Sequence, residues 1–102
     1  GTVGLVDRSS WEIPAIFRLI SELGSVPQAD LERTLNLGVG MIAVVDPSVA
    51  AAAVERLNKR GLPSWVLGTV EADTGAYQSN SDYVQGAKGV DGGAAVLLGN
   101  YA

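Results

Sequence analysis

Nine residues stand out as able to touch a ligand: Arg33-Thr34-Leu35-Asn36-Leu37-Gly38-Val39-Gly40-Met41, which set two glycines and an amide between a helical pattern and an apolar run. Glycine lets a backbone approach a ligand closely, and the amide of Asn36 both donates and accepts hydrogen bonds. Asn36, Gly38 and Gly40 are therefore candidate binding residues. The same two glycines would also suit a bulge packed against a neighbouring strand. Spacing alone leaves both readings open. The Gly-x-x-x-x-Gly-Lys-Ser/Thr and Gly-x-Gly-x-x-Gly nucleotide patterns are both absent.

Gly86-Ala-Lys88-Gly-Val-Asp91-Gly-Gly93 invites comparison with a phosphate loop, in which backbone N–H groups surround an anion. No helix follows to supply a favourable N-terminus, so it reads as a surface loop before an edge strand. Asp7, Glu12, Asp30, Glu32, Asp73, Asp82 and Asp91 show no ligand-like spacing and read as caps, turn residues or solvated faces. No histidine or cysteine is present, which removes the commonest general base and every thiolate metal site. No catalytic residue and no metal site can be named from these residues.

Positioning such a junction requires a folded body, and the composition allows one. At 47% apolar and 18% charged, the 102 residues suit one α+β domain or part of one. A net charge of −4 with seven scattered Lys and Arg argues against nucleic acid. The longest apolar run, Val49 to Val54, is far short of the ~20 residues that cross a bilayer. No signal peptide is visible, so a cytoplasmic location is expected.

Ser9-x-x-Glu12 has the form of a capping box. Ile13, Ile16, Phe17, Ile20 and Leu23 then make one apolar stripe, predicting a helix over about 11–23 with Pro14 in its first turn and Gly24 as its left-handed end. Trp11 and Phe17 read as core. A short helix is expected over about 27–33. The run 40–45 predicts a strand buried on both faces. Asp46 and Pro47 open a helix to Arg60, with Val49, Ala50, Ala53, Val54 and Leu57 as its buried face and a Glu55–Lys59 pair on the wet side. A strand over 65–71 completes a strand–helix–strand unit at 40–71. The polar, glycine-rich loop 76–93 contains a possible short strand at Tyr83 and Val84, and 94–98 is the final edge strand. Val3, Leu5 and Val6 look like the end of a strand, as in a chain starting partway through a domain. Uncovered edges at 3–6 and 94–98 would invite self-association.

The segments Asp7-Arg8-Ser-Ser-Trp11-Glu12-Ile-Pro14-Ala-Ile-Phe17 and Arg33-Thr34-Leu-Asn36-Leu-Gly38-Val-Gly40-Met41 resemble paired signatures of the phosphoribosylformylglycinamidine cyclo-ligase (aminoimidazole ribonucleotide synthetase) family. The resemblance covers about 6–71; Leu35 stands where the family commonly has an aromatic. It implies a partial C-terminal domain, with a mixed sheet packed with helices, from an ATP-dependent enzyme of purine biosynthesis. That enzyme cyclises formylglycinamidine ribonucleotide to aminoimidazole ribonucleotide. It also implies that Thr34, Asn36, Gly38 and Gly40 contact the nucleotide substrate. ATP and Mg²⁺ would belong mainly to an N-terminal half that is absent here and that dimerises, so the fragment would bind no cofactor and be inactive alone. The competing expectation is a small non-enzymatic ligand-binding or dimerisation module built on the 40–71 unit.

Overall fold

The structure is a computed structural model describing residues 1–87 and 92–102; Lys88 and Asp91 of the glycine-rich loop lie outside the described residues. Its centre is a mixed four-stranded sheet in the order β2-β1-β4-β3. Strand β1 (Thr2–Asp7) runs antiparallel to β2 (Gly68–Ala72) and parallel to β4 (Ala94–Leu98), and β3 (Tyr83–Gln85) is antiparallel to β4. Val3 and Val96, on the two central strands, are wholly buried. The α+β class and mixed sheet stand as expected. β4 has the anticipated bounds but is internal, and the edges expected to be open at 3–6 and 94–98 close on each other in parallel.

The described residues also form three α-helices: α1 (Ala15–Gly24), α2 (Gln28–Thr34) and α3 (Pro47–Lys59). The expected capping box does not form. Asp7 instead caps a single 3₁₀ turn, Arg8–Ser10, through Ser9, and Trp11 is extended. The reason is Pro14: its ring disfavours the α region at Ile13, so the helix begins only at Ala15 with Pro14 as N-cap. At the other end Gly24 is still helical, and the left-handed residue is Ser25 (φ 51°). α3 follows its sequence signals closely. The Asp46 carboxylate accepts from both the N–H and the hydroxyl of Ser48, and Glu55 pairs with Lys59 at 2.9 Å. The helix ends in a Schellman pair, Leu62 N–H to Leu57 C=O and Gly61 N–H to Asn58 C=O.

Two expectations fail here for one physical reason. Residues 40–45 form no strand, and the face of α3 is not buried: Ala50, Ala53 and Val54 are half-buried, while Val49 and Leu57 are exposed. The second strand is confined to Gly68–Ala72, so the strand–helix–strand unit is absent. A strand needs a ladder partner. The side of β1 away from β4 is taken by β2, and no described strand lies beside 40–45. Met41 is consequently 91% exposed and Val44 75%. The apolar stripe of α1 is equally open, with Ile16 56% and Leu23 79% exposed. The accessible surface totals 7349 Å², against about 5,400 Å² for a self-contained 10.5 kDa domain. The radius of gyration, 14.9 Å, also exceeds the ~13 Å of a compact chain of this length.

Candidate functional site

Residues 7–14 and 32–40, from the two stretches that carry the family resemblance, grip each other at three points. The first is Arg8, 3% exposed. Its Nε donates to Glu32 Oε1 (3.0 Å) and its Nη2 to Oε2 (2.9 Å), a bidentate charge-assisted pair. Its Nη1 donates to the carbonyls of Leu97 (2.8 Å) and Gly99 (3.2 Å) and lies 3.4 Å from Asp82 Oδ2. Burial opposes this charge, but the hydrogen bonds and charge of Glu32, with the contact to Asp82, outweigh it and hold the guanidinium pKa above its usual value. With its donors committed, Arg8 ties α2 to the end of β4 and is not an anion site.

The second point is aromatic. Tyr101 donates its hydroxyl to Glu32 Oε1 (3.1 Å) and meets Trp11 edge-on at 5.3 Å. Burial, then the charge of Glu32, raises the Tyr101 pKa. Trp11 also leans on Trp65 at 6.4 Å, whose indole N–H donates to Ser10 Oγ (3.2 Å). The indole N–H of Trp11 itself donates to the carbonyl of Leu37 (3.0 Å).

The third point is Pro14 against Gly38. A Cβ added at Gly38 would lie 2.7 Å from Pro14 Cδ, and the residue sits at φ +99°. Gly38 is required for both reasons. Asn36 to Val39 form a tight turn, closed by Val39 N–H to Asn36 C=O at 3.0 Å and by Gly38 N–H to Asn36 Oδ1 at 2.9 Å. Leu37, buried, also has positive φ (52°), an uncommon and strained conformation for a bulky side chain.

Thr34 ends α2, and Thr34, Asn36, Gly38 and Gly40 are all exposed along one short stretch. Among the described residues no hydrogen bond engages Asn36 Nδ2 or Thr34 Oγ1, which leaves an amide and a hydroxyl facing solvent beside open backbone. A Cβ at Gly40 would meet nothing within 4 Å, so packing does not demand glycine there. Such a surface can donate and accept hydrogen bonds and admit a ligand close to backbone; it holds no group able to take a proton at neutral pH.

The arrangement also corrects the reading of the carboxylates. Glu32 is not on a solvated face but is the buried partner of Arg8, its side chain 12% exposed. Asp82, at 40%, lies beside the same guanidinium. The available signal was Glu32 directly following Leu31, the buried residue of α2, which sets it at the margin of the inward face. Nothing local marked Tyr101 as its partner, 69 residues away. Asp7 and Asp73 do act as cap and turn residues, accepting from Ser9 and Gly75. Among the described residues no three Asp or Glu side chains converge to hold a metal ion.

Residues 6–78 match the family described as AIR synthase related protein, C-terminal domain. A phosphoribosylformylglycinamidine cyclo-ligase of Anaeromyxobacter sp. (strain Fw109-5) is 43% identical over 75 residues, 74% of this chain and 22% of its own. The enzyme of that name from Thermoanaerobacter sp. (strain X514) is 40% identical over 70 residues, 69% of this chain and 21% of its own. A Streptomyces fradiae protein given the same name provisionally is 38% identical over 102 residues, 100% of this chain and 50% of its own. The chain therefore spans between a fifth and a half of the length of these relatives. No solved structure matches.

Proposed function

The chain belongs to the AIR synthase related family, as its C-terminal domain, and from that premise we propose that it is part of an enzyme cyclising formylglycinamidine ribonucleotide to aminoimidazole ribonucleotide in purine biosynthesis. The observation that supports a substrate role for these residues is the junction 34–40. A strained turn is held by the 7–14 segment while its polar groups face outward. Thr34 and Asn36 would donate to the nucleotide, and the backbone at Gly38 and Gly40 would admit it closely. In phosphoryl activation of the formyl oxygen and attack by the amidine nitrogen, these residues contribute positioning. On this reading ATP and Mg²⁺ are bound mainly by parts of the enzyme beyond this match, which also make the homodimer contacts, in a cytoplasmic enzyme. No described helix is long and apolar enough to cross a membrane.

On this reading the open faces of α1, 40–45 and α3 are covered by that further polypeptide, and the 102-residue chain alone is inactive. The alternative, a small non-enzymatic ligand-binding or dimerisation module, loses the strand–helix–strand unit at 40–71 on which it was built.

The test is Asn36→Asp in the full-length enzyme. It keeps the Oδ1 acceptor for Gly38 and removes the Nδ2 donor, whereas Asn36→Ala would also loosen the turn. Losing a ligand hydrogen bond costs about 0.5–3 kcal/mol, a fall in kcat/KM of about 2- to 150-fold. Unchanged kcat/KM would return the junction to a packing role.

A further inference from the structure

The junction's shape is not set by its own residues alone. Leu37 and Gly38 both have positive φ, and a bulky residue does not hold that conformation without support from its surroundings. Two contacts from the 7–14 segment bear on these two residues: the indole N–H of Trp11 on the Leu37 carbonyl, and the ring of Pro14 on Gly38. Trp11 is in turn fixed by Tyr101 and Trp65. Tyr101 is fixed by Glu32, which is clamped by Arg8. Of these two contacts, the Pro14 ring excludes side chains from position 38, and the indole bond fixes the direction of the Leu37 carbonyl.

We propose that Trp11 is a positioning residue for the substrate: by pinning the Leu37 carbonyl it holds the turn in the conformation that aims Asn36 outward. This rests on the junction reading above. Trp11 does not touch the ligand. It sets the ligand-free protein in the binding conformation, so its loss is felt as weaker binding with the chemical step intact.

The experiment uses the full-length enzyme carrying Trp11→Phe, which keeps a ring against Tyr101 and Trp65 and deletes the N–H. Removing one hydrogen bond that preorganises the site is expected to raise the KM for formylglycinamidine ribonucleotide about 2- to 12-fold with kcat retained. Asn36→Asp is assayed beside it. If Asn36→Asp lowers kcat/KM and Trp11→Phe leaves KM unchanged per folded molecule, the positioning role is overturned while the junction reading survives. If neither variant changes the kinetics, the junction reading falls first and this inference with it. A readout that needs no Trp11 variant is the ¹⁵N indole spectrum of the unaltered enzyme, isotope-labelled only over these 102 residues, whose two Trp signals Trp65→Phe assigns. On adding formylglycinamidine ribonucleotide without ATP, the Trp11 signal should shift by more than that of Trp65. A stationary Trp11 signal at saturating ligand overturns the proposal even if Trp11→Phe fails to fold.

Discussion

Glu32→Ala tests the ion pair with Arg8 that joins α2 to the end of β4. Both side chains are nearly dry, 4% exposed for Arg8 and 12% for Glu32. Removing the carboxylate deletes two bonds from Arg8 and one from Tyr101, and leaves a buried guanidinium with only Leu97, Gly99 and Asp82. Breaking a buried pair from one side costs about 3–5 kcal/mol, a large share of the 5–15 kcal/mol available to an ordinary domain. The buried apolar residues described here are Val3, Leu31, Leu37 and Val96. Urea titration of the full-length enzyme, followed by Trp fluorescence, should show the domain's midpoint collapse for Glu32→Ala. Glu32→Gln, which keeps an acceptor for Arg8 or Tyr101, should fall between. Arg8→Met paired with Glu32→Gln closes a double-mutant cycle. The double variant should cost less than the two singles added, although the Leu97 and Gly99 carbonyls stay unserved in it. Additivity within about 0.5 kcal/mol would refute the pairing and the fold argument built on it.

Other measurements bear on separate links. Gly68→Ala should destabilise the sheet edge, because a Cβ there would collide with the Leu5 carbonyl oxygen; an unchanged melting temperature would contradict the β1–β2 register. The Tyr83 hydroxyl donates to Asp73 Oδ2 (2.6 Å), and with the Gly75 N–H it holds the Asp73 pKa down, while Asp73 raises that of Tyr83. A depressed carboxylate stabilises above its unfolded value and loses that stabilisation as pH falls through the folded one; a raised phenol stabilises below its unfolded value and loses it as pH rises through the folded one. The bond should thus persist between about pH 4 and pH 10, and Tyr83→Phe should raise the Asp73 midpoint in an NMR titration. The purified 102-residue chain should associate at micromolar concentration through its open apolar faces and show no ATP-dependent turnover. A clean monomer by light scattering, or measurable turnover, would count against those respective claims.

How much of this was legible in the sequence depends on where each signal's partner lies. Local signals read well: Asp46-Pro47-Ser48 starts α3, Gly61 ends it, and β4 has its anticipated bounds, because each rests on atoms a few residues away. Pro14 also suits the first turn of a helix, but the restraint it places on Ile13 prevails and delays α1 to Ala15. Non-local signals read poorly. Apolar periodicity marks 40–45 and α3 as surfaces that want covering, but it cannot say where the cover lies, and among the described residues these surfaces stay open. Arg8 shows the opposite failure. Charge beside a strand reads as solvent-facing until Glu32, Leu97 and Gly99 are seen to converge on it from 24 to 91 residues away. The junction stood between these cases. Its glycines were visible as unusual, yet the reason for Gly38 is Pro14, and the conformation of Leu37 depends on Trp11. The two segments that carry the family resemblance are therefore one object. The first supplies the rigid wall and the second the exposed polar edge, and a change in either should be read as a change in both.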